Sequence, residues 1–297
     1  MRLIPGLSSN LRRRFVLLAP DRRFTNPFTK SSVDPSLHQR LLSDAQKLRG
    51  RIYLEDGAIQ AARLSADGRH VQSADQNSWH LLTLDDQGRV AACTRYLPHP
   101  NTVSFSELTV SSSGMAQSED WGRAFRSAIE AELRLARKRQ CSYVEMGGWV
   151  ISEALRCTTE AVRMVLTSYG LARMFGGALG ISTVTTRHGS SSILRRIGGG
   201  SLCSRGAELP PYFDPHYNCE MEILRFDSER PSPRYGSWID DCRSYLETAP
   251  VICAKAGDRS LEQIRVAILD RFRHTGQTPI VASDSAEPAW ERTTGVA

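Results

Sequence analysis

Between Trp79 and Phe226 the sequence switches repeatedly between a period of two and a period near 3.6. That alternation limits the folds available more than any other feature. Trp79–Leu84 and Arg89–Leu97 are β-rich runs on either side of Asp85-Asp86-Gln87-Gly88, which predicts a hairpin. Residues 120–139 place Trp121, Phe125, Ile129, Leu133 and Ala136 on one stripe, with Arg and Glu opposite, which predicts an amphipathic helix with Trp121, Phe125 and Ile129 in the core. A strand over 142–151 follows, then a helix over 158–175 closed by Gly176-Gly177. A β-branched strand over 178–185, a short helix over 190–197 and a strand over 219–226 complete the series. Hairpin, helix, strand, helix, strand, helix, strand reads as a mixed sheet with helices on its faces, an α/β or α+β layer fold.

The flanks are less regular. Residues 1–34 are rich in Arg, Pro, Ser and Asn and read as a basic arm. Leu37, Leu41, Leu42, Ala45 and Leu48 predict a helix over 36–50, and Arg51–Glu55 a short strand stopped by Asp56-Gly57. Phe105–Val110 is a further strand candidate, and the Pro-rich stretch 209–215 is a loop. This divides the chain into an arm (1–34), a central domain (35–228) and an extension (229–297) with one helix over 259–273.

Composition narrows the class. Hydrophobic residues at 40% and charged residues at 24% exclude collagen-like, coiled-coil and wholly disordered chains. The apolar run Phe15–Pro20 is too short for a membrane span or a signal-peptide core. The 7 cysteines are scattered and form no C-x-x-C pair, which argues for reduced thiols in a cytoplasm and against a zinc ribbon; no metal is expected. Charge is uneven: residues 1–51 hold 11 Lys or Arg against 3 Asp, a surplus of +8 in a chain of +6, so the remainder is −2. A basic arm that includes Arg12, Arg13 and Arg14 attracts an acidic partner, while a near-neutral body does not suit a nucleic-acid binder.

Chemistry concentrates where the 142–151 strand meets the 158–175 helix. Arg156-Cys157-Thr158-Thr159-Glu160-Ala161 lies in that junction. Free N–H groups and the helix dipole make such a place an anion site, with Thr158 or Thr159 as cap and Arg156 as added charge.

These residues, in this order, resemble the GNAT acyltransferase superfamily, whose pyrophosphate loop reads Q/R-x-x-G-x-G/A. Arg156 and Ala161 match its ends, and Thr159 stands at its central Gly. Ser192–Gly198 resembles the superfamily's short fourth helix, with Leu194 at the tyrosine position. Arg49-Gly50-Arg51-Ile52-Tyr53 resembles the R-x-x-x-F/Y segment of the homoserine-lactone autoinducer synthases and long-chain N-acyl amino acid synthases. Arg95-Tyr96-Leu97-Pro98 resembles their R-L-L-P, and Glu145 their strand carboxylate. The likeness runs over residues 36–227.

The resemblance implies a GNAT-like acyl-CoA N-acyltransferase fold and attack by an amine on an acyl thioester. It assigns the donor to Arg156, Thr158, Thr159, Ala161 and the backbone at Met146 and Gly147, and the substrate side to Arg49, Tyr53 and Arg95. Glu145 is the expected base, with His188 the alternative. Gly147-Gly148 would permit the bulge that frees oxyanion donors. Thr159 and Leu194 depart from the coenzyme A pattern, which makes acyl carrier protein a candidate donor beside acyl-CoA. No permanently bound cofactor is expected. The acceptor is a small-molecule amine, plausibly an amino acid; the competing readings are a silent acyl- or lipid-binding module and, behind it, a nucleic-acid binder using the basic arm. Arg195 and Arg196 are read either as contacts for an acidic partner or a phosphate or as a solvated helix face. Asp214 and Glu222 receive no role from sequence alone, and Tyr212 and Tyr217 are read as loop packing.

Overall fold

The computed structural model describes residues 14–22, 24–256 and 258–259. Its main strands are β1 (Phe15–Leu18), β2 (Ser31–Val33), β3 (Trp79–Leu84), β4 (Val90–His99), β5 (Ser142–Ile151), β6 (Ala178–Thr185), β7 (Tyr212–Asp214), β8 (Cys219–Asp227) and β9 (Val251–Cys253). The helices are α1 (Pro35–Glu55), α2 (Gly122–Arg139), α3 (Glu160–Met174), α4 (Ser190–Ile197) and α5 (Gly236–Leu246). The strands lie in the order β7-β8-β6-β5-β4-β3-β1-β9-β2. Pairs β5–β6, β1–β9 and β9–β2 are parallel and the others antiparallel, so the sheet is mixed, as the alternation requires.

Both faces of the sheet are covered. Val16 and Leu18 of β1 pack with Leu41, Leu42, Leu48 and Ile52 of α1. Phe15 and Leu17, pointing the other way, join Met164 and Leu171 of α3 and Leu246 of α5. A strand buried on both faces must be apolar at every position, which is why Phe15–Leu18 shows no alternation. On the β6–β8 half, Phe125, Ile129, Leu133 and Ala136 of α2 cover Tyr143, Leu179, Ile181 and Ile223.

Several sequence expectations change here. Arg51–Glu55 is the last turns of α1, not a strand, because the apolar rhythm runs on through Ile52. The Asp34 carboxylate accepts the Leu37 N–H at 2.9 Å and Pro35 opens the helix, a standard start. Phe105–Val110 forms 3₁₀ turns, and the Pro-rich loop ends in β7. Trp121 leaves the core: it sits at the N-cap of α2, 39% exposed.

The arm and the extension are also redrawn. Phe15–Leu18 is a central strand, flanked by β3 and β9. Residues 236–253, placed in the 229–297 extension with no element assigned to them, supply α5 against α3 and the strand β9. Arg12 and Arg13 lie outside the described residues, as does the helix expected over 259–273 apart from its first position. Among the described residues no helix is long and apolar enough to cross a membrane, and no cluster of metal-ligating residues occurs.

A buried ion pair fixes α3 under the hairpin. Arg163 and Glu160 are 1% and 2% exposed and meet at 2.5 Å. The Thr83 hydroxyl donates to Glu160 and accepts from Arg163. The start of α3, where the anion site was expected, is thereby anchored to β3.

Candidate active site

The site forms where two parallel neighbours separate. β5 and β6 pair from Ser142 with Ala178 to Met146 with Ser182. Both strands then continue, β5 to Ile151 and β6 to Thr185, without pairing. On its other side β5 stays paired with β4 as far as Ile151, across a register shift between Cys93 and Arg95. Opposite that shift Gly148 takes φ +62°. A side chain there would be strained, and its Cβ would stand 3.0 Å from Arg49 Nη1. The glycine pair thus produces the expected bulge.

Between the splayed strands opens a cavity of about 930 Å³. Met146, Gly147, Gly148 and Trp149 line one wall and Ile181–Thr185 the facing one. The β6-facing edge of β5 past Met146 has lost its ladder partners, so its N–H groups are available to an occupant of the cavity.

Of the expected donor residues, Arg156, Thr158, Ala161, Met146 and Gly147 line this cavity, while Thr159 lies off its wall. Thr159 is the N-cap of α3 but makes no side-chain cap. Thr158 does that work: its hydroxyl accepts the Glu160 N–H at 3.2 Å and donates to the Leu155 carbonyl at 2.7 Å. Arg156 is exposed, 3.9 Å from Asp56. Cys157 between them takes φ +59° and also faces the cavity.

The substrate-side residues assemble around a group the sequence reading missed. Asp75 is 1% exposed and sits between two guanidinium groups. Arg49 grips it through Nη2 to Oδ2 at 2.6 Å and Nη1 to Oδ1 at 3.1 Å, and Arg95 Nη1 reaches Oδ1 at 3.1 Å. Gln46 Nε2 and the Gln72 N–H add bonds at 3.0 Å each. Burial alone would raise the Asp75 pKa, but the two arginines outweigh it and hold the carboxyl well below the usual range. Arg49 is consumed by this network, whereas Arg95 and Tyr53 reach the cavity. Arg95 Nε is buried with no partner among the described residues, and Nη2 lies 3.4 Å from where a Gly147 Cβ would stand. Arg95 therefore faces the freed strand with donors to spare. Nothing in the sequence marks Asp75, because its partners come from α1 and β4.

Glu145 lines the cavity, but its geometry does not favour the expected base role. His99 Nε2 and the Thr109 N–H meet Oε1 at 2.9 and 2.8 Å. The Thr109 hydroxyl and the Val110 N–H donate to Oε2 at 2.5 and 2.8 Å. A carboxylate offers about four lone-pair sites, and all are taken. Burial pushes its pKa up, yet these bonds prevail and leave it below the ordinary value. The geometry makes Glu145 a clamp on the 99–110 segment. Glu145→Gln turns one acceptor into an N–H₂ facing a donor, so a loss of about 2 kcal/mol in urea unfolding is expected. A variant as stable as wild type would show that the clamp carries no weight. The side chain of His188 lies outside the described residues.

Sequence comparison identifies nothing: no protein-family profile and no curated protein matches the chain. Among solved structures, the CoA-dependent acyl-homoserine lactone synthase BjaI, with SAM and isopentyl-CoA, superposes over 86% of this chain and 99% of its own. The TM-score is 0.50 at 15% identity. The chain has that synthase's fold. The CoA-dependent acyl-homoserine lactone synthase MesI (TM-score 0.47, 15% identity, 82% of this chain and 100% of that one) is also similar. So is FeeM, an N-acyl amino acid synthase from uncultured soil microbes (0.43, 11%, 73% and 92%). The likeness to BjaI bears out the expected mixed α/β acyl-synthase fold, and only the fold.

Proposed function

We propose that this protein is an N-acyltransferase that moves an acyl group, of the fatty class, from a thioester to an amine. The observation that carries the reading is the parting of β5 from β6 after Met146, with a cavity of mixed apolar and charged lining in the gap. In this reading the thioester carbonyl lies against the freed N–H groups near Gly147, which stabilise the oxyanion as the amine attacks. The C–N bond forms, the C–S bond breaks, and the leaving thiolate takes up a proton while the ammonium of the product loses one. Glu145 has no free lone pair to receive it.

Arg156 and the first turn of α3 would hold donor phosphate, which both coenzyme A and the phosphopantetheine arm of acyl carrier protein carry. The CoA dependence named for BjaI supports acyl-CoA as the donor. Arg95 would hold a carboxylate, which favours an amino acid as acceptor.

Incubation with acyl-CoA or acyl carrier protein and mixed amino acids, read by mass spectrometry, tests the reading; N-acyl products are expected. Arg156→Ala should weaken donor binding by about 1–3 kcal/mol in calorimetry, the range for a charge-assisted bond. Unchanged affinity would remove Arg156 from the donor site. The saturated Glu145 and the Leu194 at the tyrosine position favour one other reading, a silent acyl-binding module. Donor binding with no product under any acceptor would select it.

A further inference from the structure

The same cavity that Arg95 reaches is lined by a carboxylate that the reaction above does not use. Asp214, at the end of β7, lines the cavity and is 3% exposed. Its Oδ1 accepts the His216 N–H at 2.8 Å, while among the described residues Oδ2 has only the Tyr212 hydroxyl at 3.4 Å. No Lys, Arg or His among the described residues pairs with it. Arg63 and Arg187 line the same cavity but bond neutral acceptors, His216 Nδ1 at 2.9 Å for Arg63 and the carbonyls of Asn218 and Asp56 for Arg187, and none of these bonds reaches Asp214. A charge buried without a counterion is costly, so one kept at a cavity wall points to a cation brought by the ligand.

The surroundings agree. The Tyr217 N–H donates to the Asp214 carbonyl at 3.2 Å, so the two residues share one turn at the cavity wall, and the Tyr217 hydroxyl accepts from Gln72 Nε2 at 3.1 Å. The Tyr217 ring meets Tyr53 edge-on, with centroids 6.0 Å apart and planes at 84°, and both tyrosines line the cavity. Aromatic faces beside a carboxylate attract ammonium groups.

We infer that the acceptor carries a second ammonium group, held by Asp214 beside the Tyr53–Tyr217 pair: a diamino acid of the lysine or ornithine class. Its carboxylate would face Arg95 across the cavity. The inference rests on the acyl-transfer reading only for the word acceptor, since the cation site can be tested without a donor.

Calorimetry on the full chain compares lysine with norleucine, and ornithine with norvaline, which differ in the terminal amine. Wild type should prefer the amine-bearing member about tenfold or more, and Asp214→Asn, which keeps an acceptor for the His216 N–H, should abolish the preference. Tyr217→Leu leaves the carboxylate in place and should cut the preference about threefold to tenfold, which keeps the test alive if Asp214→Asn does not fold. Equal affinity in wild type, or a preference that survives both changes, overturns the inference. Preference without acyl transfer refutes the enzyme reading alone, and transfer to lysine and norleucine at equal kcat/KM refutes this one alone.

Discussion

Asp75→Ala is expected to destabilise the protein by about 3–5 kcal/mol, the cost of stripping a counterion from buried charge. Arg49, 2% exposed and off the cavity wall, cannot turn to water, Arg95 at 8% can do so only on its cavity side, and among the described residues neither Nε has a partner. Urea unfolding measures the loss; less than about 1 kcal/mol would mean that water reaches the pair. The same network sets an acid limit. Because the Asp75 carboxyl is depressed in the folded state, it binds its proton more readily when unfolded. Its contribution is therefore fully present above the unfolded pKa of about 3.9 and drains away as the pH falls through the folded value. Asp75→Ala should flatten that part of the stability profile.

Gly148→Val should cost catalysis most. At φ +62° a branched side chain is strained by about 1–3 kcal/mol, and its Cβ presses on Arg49 Nη1. Relief requires β5 to straighten or Arg49 to shift, and either moves the freed N–H groups. A displacement near 1 Å at a reacting centre costs about 10²-fold, and kcat/KM for acyl transfer should drop by that order. Gly147→Ala is the control. Its Cβ meets only Arg95 Nη2, at an ordinary 3.4 Å, so it should lose far less. Equal losses in the two variants would mean that the bulge is not what matters.

Local chemistry explains what was legible in the sequence. The hairpin, α2–α4, β5, β6 and β8 carry their period in their own residues, and Gly147-Gly148 announced a bulge that exists. The sequence misled wherever a distant partner decides. Phe15–Leu18 has the length of a strand but no alternation, since α1 and α3 bury its two sides. Arg51–Glu55 looked extended because Ile52 and Tyr53 favour strands, yet the α1 stripe extends through them. Glu145 was found for its place on β5, but its four donors come from β4 and the 3₁₀ turns, so its task was invisible. Asp75 and Asp214 had no motif at all. A buried carboxylate is identified by what stands around it, and the fold alone provides that.

The place of β1 in the sheet has a consequence for how the chain matures. Leu17 and Leu18 pair in parallel with Val251 and Ile252, so β1 waits for a partner made more than two hundred residues later. At about 5–20 residues per second on the ribosome, that wait lasts on the order of ten seconds or more. Throughout it, Phe15–Leu18 has one side paired at best, an apolar edge of the kind that recruits other chains. Non-local closure of this sort is slow in itself. The 236–253 segment is thus the clasp that retires a sticky edge, and a nascent chain cut short of it keeps that edge open.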